Sequence, residues 1–294
     1  MTLIFNSLLL SMRVMLHMIV PVLVISLASV VVWTVLGIFT LGMANYISGP
    51  VTTAFFTLFG IRTALALKGD KRHTDYWAMA LYSVMYGLFF AAVLWVLKLI
   101  VAVSGIAYAL WQIGEPISWA AFQNVPKPAL GAFGLLAGGS SLIVMCFVWA
   151  AFYAIMAVPI ASAAQSAGHR APSHAFFNRL GRSFIPLFCV FFVSIFLQLY
   201  FGFYTAFYAL LPILMSVISI LTAQSLPNFD LEIILRGAAA GGALLWLNSW
   251  LWSVCALAFL KSEGDDTVAV AAPSPDLETA TDLRALRKSR ERSF

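Results

Sequence analysis

The chain has 294 residues, of which 62% are hydrophobic and only 10% charged, with a formal net charge of +5. A soluble domain carries about 25% charged residues, so a water-facing globule around one core is excluded and the bilayer is the expected solvent. The basic residues flank long apolar runs, which makes the positive charge a topology signal rather than a mark of nucleic-acid binding; no nucleic-acid partner is expected.

Arg13 is followed by a stretch without charge that lasts until Arg62. At about 1.5 Å of rise per residue this exceeds one crossing of a ~30 Å hydrocarbon core. The chain must fold back, and NYISGP at 45–50 supplies turn chemistry. Helices are expected at 14–44, kinked near Pro21, and at 51–67. The apolar run is too long for the h-region of a cleaved signal peptide, about 7–15 residues, so the first helix is expected to be retained.

The stretch RTALALKGDKRHTD at 62–75 is the densest charge cluster before residue 165. Gly69 suits a helix stop, Lys68 suits the negative helix end, and Thr74 or Asp75 suits the cap of a helix at 76–103. Tyr76 and Trp77 read as a headgroup-level aromatic pair. Lys98, near the far end of that helix, reads as a snorkelling side chain. WQIGEPISWAAFQNVPKP at 111–128 reads as a short amphipathic helix, 117–124, lying on the outer surface. Trp119 and Phe122 would face lipid, and Pro126 and Pro128 would end it.

The next helix is expected from about residue 130, with Pro159 kinking or ending it. Gly131, Gly134 and Gly138 form a smooth stripe for close helix approach. QSAGHRAPSHAFFNRLGR at 165–182 is a second basic loop. His169 and His174 have poor metal-ligand spacing with nothing to complete a zinc set. Cys146, Cys189 and Cys255 lie in apolar runs without CxxC spacing and read as buried small hydrophobes. No metal or cofactor is expected.

A helix at 184–203 leads into an aromatic bend, and the run broken by Pro212 reads as a partial element. The last helix is expected at 233–260. It carries Gly237 and Gly241, then Trp246 and Trp250 on one face, a surface suited to lipid or a partner. Asn248, the amide set well inside a helix, reads as a helix–helix hydrogen bond. Nearly half of the charged residues lie beyond residue 260. The expected division is a transmembrane domain, 1–260, and a charged tail, 261–294, made of a linker and a short helix.

The basic positions Arg62, Lys68, Lys71 and Arg72, then Arg170, Arg179 and Arg182, belong on one side with Arg13 and the basic tail. By the positive-inside rule that side is cytoplasmic. This requires an even number of crossings, and the expected fold is an all-α polytopic bundle of about six spanning helices in a bacterial inner membrane, with both termini cytoplasmic. The two loops also share a form: ALALKGDKRHTDYWAMALYS at 64–83 beside ASAAQSAGHRAPSHAFFNRLGRS at 161–183. Each runs from an apolar helix through small and basic residues to an aromatic-led start, which suggests two parallel halves.

This helix–basic-loop–helix pattern, over about residues 50–260, resembles a broad bacterial group of six-helix integral membrane proteins. That group is related to the membrane domain attached to some glycerophosphoryl diester phosphodiesterases. The resemblance implies a fold, with no catalytic motif to carry over.

The expected spans contain no Asp or Glu, and the chain has no HExxH, GxSxG, P-loop or redox Cys pair, so no enzyme and no catalytic residue is expected. Two functions fit. One is a structural or assembly subunit of an inner-membrane complex, meeting membrane lipid and other membrane protein subunits through its Gly- and Trp-rich surfaces and its tail. The other is a small-molecule or lipid transporter built from two halves. A transporter should have a polar cavity between the halves; a scaffold should have a packed centre and an apolar exposed groove. Deleting 262–294 should abolish association for the scaffold and leave transport intact for the transporter.

Overall fold

A computed structural model describes residues 2–41, 44–70, 73–167, 180–205, 215 and 231–271. Among these the chain is all-helical: α1 (Thr2–Phe39), α2 (Asn45–Leu67), α3 (Tyr76–Gln112), the short α4 (Trp119–Gln123), α5 (Lys127–Ser166), α6 (Phe184–Thr205) and α7 (Leu231–Ala271). Six of them, all but α4, are long and apolar enough to cross a membrane. The contacts divide the chain after Ala258.

Helix α2 is the hub, packed against α1, α3 and α5, while α5 also packs on α3 and α6. The helices are longer than expected, each for a local reason. Helix α1 begins at Thr2 because Ser7, Leu10, Ser11, Val14 and Met18 recur every three or four residues as a buried stripe. The Ser7 and Ser11 hydroxyls are satisfied by Ile4 O and Leu8 O. Arg13 therefore sits inside a helix, on its exposed side.

The segment at 45–50 forms the first turns of α2 rather than a loop, and Pro50 inside it offers no N–H to the Tyr46 carbonyl four residues back. The turn falls just before it, where Ala44 N–H donates to Thr40 Oγ1 at 3.0 Å. Helix α3 runs on to Gln112 and stops at Gly114, whose φ is +76. There Gly114 N–H bonds Trp111 O and Glu115 N–H bonds Leu110 O, the paired bonds of a glycine C-cap.

Pro159 does not end α5, which continues to Ser166. Proline has no N–H for the carbonyl four residues back. That carbonyl, Ile155 O, instead accepts from Gly181 N–H at 3.2 Å, and Gly181 holds a φ of +73 that a side chain would strain. Pro159 O accepts from the buried Tyr86 hydroxyl at 3.3 Å. The proline is thus a docking point for α3 and for the turn into α6. Close packing of α5 uses alanines (Ala150, Ala154, Ala157, Ala161 and Ala164, all buried).

Aromatic residues mark two levels along α3. Tyr76 and Trp77 are exposed at its start. Further on, Trp95 contacts the Tyr46 ring at 6.5 Å, and Lys98 Nζ lies 5.8 Å from the Trp95 ring. From Tyr76 to Trp95 the helix rises ~29 Å, the thickness of a hydrocarbon core. Lys98 is exposed beside its tryptophan, in the position of a snorkelling side chain. Beyond it, Ala109 and Leu110 are covered by Phe122 and Val125. Phe122 therefore turns inward, and only Trp119, at 77% exposure, keeps the outward orientation expected of both. Helix α7 reaches Ala271, well into the stretch read as a linker.

Candidate functional site

Two groups of polar side chains stand out, one at the basic end of the bundle and one at mid-span. The basic end is built from local signals. Gly69, at φ +106, closes α2 with Gly69 N–H to Ala66 O and Asp70 N–H to Leu65 O. This turn returns Asp70 to the side of α2 that carries Arg62. Arg62 is 3% exposed; its Nη1 lies 2.9 Å from Asp70 Oδ2, and its Nε donates to Thr74 Oγ1 at 3.4 Å. Asp75 Oδ1 caps α3 by accepting from Trp77 N–H and Ala78 N–H. Its own N–H donates to Ala167 O at 2.8 Å, joining the start of α3 to the end of α5. The start of α3 and the end of α5 thus lie at the same end, tied to each other.

The mid-span group surrounds a cavity of about 370 Å³ where α2, α5, α6 and α7 meet. A second lobe of about 300 Å³ adjoins it toward α1. Thr53, Thr57, Asn248 and Trp252 line both lobes. Across this waist Gln198 Nε2 donates to Asn248 Oδ1 at 3.2 Å, and Asn248 Nδ2 donates to Leu244 O at 2.9 Å. Thr57 Oγ1 donates to Thr53 O at 2.8 Å. Away from the waist the walls are apolar. Tyr153 stacks on Phe191 at 5.6 Å and meets the Trp149 ring edge-on at 5.0 Å. Among the described residues no Asp, Glu, Lys, Arg or His lines either lobe. The volume falls within the range of small-molecule sites, about 300–1,000 Å³.

The residues singled out from sequence fall into several places. Asn248 lines the cavity and makes the helix–helix hydrogen bond expected of it, to Gln198. Trp246 and Trp250 stack on each other, centroids 6.3 Å apart, but they do not form an outward surface. Trp250 is buried and its indole N–H donates to Ser7 Oγ at 2.9 Å. Their i, i+4 spacing was right and the face they serve is internal.

Gly131 is exposed, and a Cβ there or at Gly241 would meet nothing within 4 Å, so neither is closely approached within the chain. Gly241 instead lines the second lobe. Gly237 is half-buried on α7, and Gly134 and Gly138 fall in α5 with their surroundings outside the described residues. The close approaches occur at Gly60, against which the Trp252 ring lies, and at Gly87, where a Cβ would come within 2.6 Å of Val51 Cα.

Arg62 is a buried residue of α2 rather than part of a wet loop. Lys68 and Arg182 are exposed at helix ends. Lys71, Arg72, Arg170 and Arg179 lie outside the described residues, as does most of the run around Pro212. Gln198, Thr53 and Gly60 carried no individual weight in the sequence. A polar residue every few turns of an apolar helix was the only signal available.

Fold and site together define an all-α, multi-pass membrane protein with a half-open, sparsely polar cavity between its helices. No family model matches the sequence, and neither the curated proteins nor the solved structures contain a match.

Proposed function

We propose that the protein is a carrier of small amphiphilic or lipid molecules in a bacterial inner membrane, with the basic turns and both chain ends in the cytoplasm. Support comes from the two-lobed cavity between α2 and the α5–α7 side, with its threonine and amide waist at mid-span. A packed scaffold has no need to leave volume beside hydrogen-bonding groups, which are costly in an apolar interior unless used. We assign it no reaction. The likeness to the six-helix bacterial group belongs to this proposal as a matter of fold alone. The test is reconstitution of the full chain in vesicles carrying a fluorescent lipid analogue. Faster exchange of the analogue between leaflets than in protein-free vesicles is expected; equal rates would refute the carrier role.

A second reading, a structural or assembly subunit, draws on a different observation. None of the most apolar 18-residue window of α1 is buried, so the part of that helix beyond the buried stripe that ends at Met18 is available to a partner helix. Native mass of the tagged protein in nanodiscs decides this reading. Co-purified subunits are expected from it, and a lone chain would exclude it.

A further inference from the structure

The chemistry of the cavity narrows what it can hold. We propose that it takes an uncharged lipid whose hydrogen-bonding group lies between apolar arms, and that it rejects lipids bearing an anionic headgroup. This rests on the carrier reading and specifies its cargo.

Polarity is concentrated at one level. Thr53, Thr57 and Asn248 belong to both lobes, with Gln198 bonded to Asn248. What each lobe adds beyond them is apolar, apart from Gln198 and the Tyr153 hydroxyl: Phe191, Ile195 and Leu199 on one side, Val22, Phe56 and Leu244 on the other. A guest that matches this pattern has its polar group in the middle and hydrocarbon running both ways.

Hydrogen-bonding capacity at the waist is only part-used. Asn248 spends its amide N–H on Leu244 O and its Oδ1 on Gln198. Among the described residues no donor reaches Gln198 Oε1 and the Thr53 hydroxyl has no partner. A hydroxyl on the guest would give its proton to Gln198 Oε1 and accept from Thr53 Oγ1; an ester carbonyl would use Thr53 alone. Each pairing satisfies a group that is otherwise left bare in an apolar setting. Among the described residues a phosphate or carboxylate would meet no cation in either lobe, and an unpaired ion is strongly disfavoured there.

The experiment uses a matched pair of photoreactive lipids, a diacylglycerol and the phosphatidic acid with the same diazirine-bearing chains, which differ only in the phosphate. The full chain in nanodiscs is irradiated with each, and labelled peptides are mapped by mass spectrometry. Labelling of peptides carrying Tyr153, Phe191 and Leu251 by the diacylglycerol should exceed that by phosphatidic acid roughly tenfold. Peptides from the exposed face of α1, around Leu27 and Val30, should label equally and serve as the bilayer reference. In Gln198→Leu and in Thr53→Val, cavity labelling should fall several-fold while α1 labelling holds. Equal or preferential cavity labelling by phosphatidic acid would overturn the neutral-lipid assignment and leave the carrier reading standing. Labelling of α1 by both probes with none in the cavity would overturn both. The wild-type comparison needs no variant to fold.

Discussion

The basic end and the mid-span chamber are both polar sites in an apolar bundle, and they differ in how completely their groups are used. At the basic end Arg62, Asp70, Thr74, Asp75 and Ala167 are joined through an ion pair, a cap and a backbone bond that crosses from α3 to α5. At mid-span the amides of Gln198 and Asn248 hold each other but leave an acceptor facing open volume. An ion-paired cluster that spans helix ends fixes helices in place; hydrogen-bonding groups beside a cavity are within reach of a guest. The contrast separates what holds the bundle from what it can bind.

The largest effect should come from breaking the ion-paired end. Arg62→Ala or Asp70→Ala removes one partner of a largely buried ion pair and should cost about 3–5 kcal/mol, read as a drop in thermal midpoint in detergent. A change of under 1 kcal/mol for both variants would show the pair to be dispensable. Next comes Gly87→Ala, which drives a methyl toward the Val51 backbone. Backbone cannot swing aside as a side chain can, so roughly 1–3 kcal/mol of overpacking is expected in the same melt. Gly60→Ala drives a methyl into the buried Trp252 ring near its root; the ring lines both lobes, so a similar loss of stability, about 1–3 kcal/mol, is expected together with a fall in ligand labelling. Gln198→Leu should be milder still for stability, about 0.6 kcal/mol as for membrane interhelical hydrogen bonds in general, while reducing binding several-fold. Gly131→Ala, facing open space, should fall within about 0.5 kcal/mol of wild type.

Much of the frame could be read from local chemistry. The Gly69 stop and the Asp75 cap were visible because each depends on a few consecutive residues. The six spans were visible because charge is absent over lengths that match a bilayer. Where partners are distant in the chain, the same chemistry says less. Glycines at 131 and 241 offer smooth helix surface that no residue of the chain itself closely approaches. Within the chain Trp252 and Val51 arrive at Gly60 and Gly87. Arg62 looked like part of a wet loop because its neighbours in sequence are charged; the glycine turn that brings Asp70 back onto α2 is what allows it to be buried. The i, i+4 spacing of the α7 tryptophans shows that they share a face, but not that Trp250 is buried against Ser7 of α1. The cavity, made of four helices, had no local signature beyond Asn248.

The central claim is that the mid-span chamber holds a guest. The direct measurement is native mass spectrometry of the full chain released from nanodiscs, beside Thr53→Phe. Thr53 is exposed and lines both lobes, so a larger side chain can fill the waist without displacing packed core. One small-molecule adduct that survives removal of bulk lipid in the wild type and is lost in Thr53→Phe is the predicted result. No retained adduct, or one equally retained by Thr53→Phe, would contradict the claim.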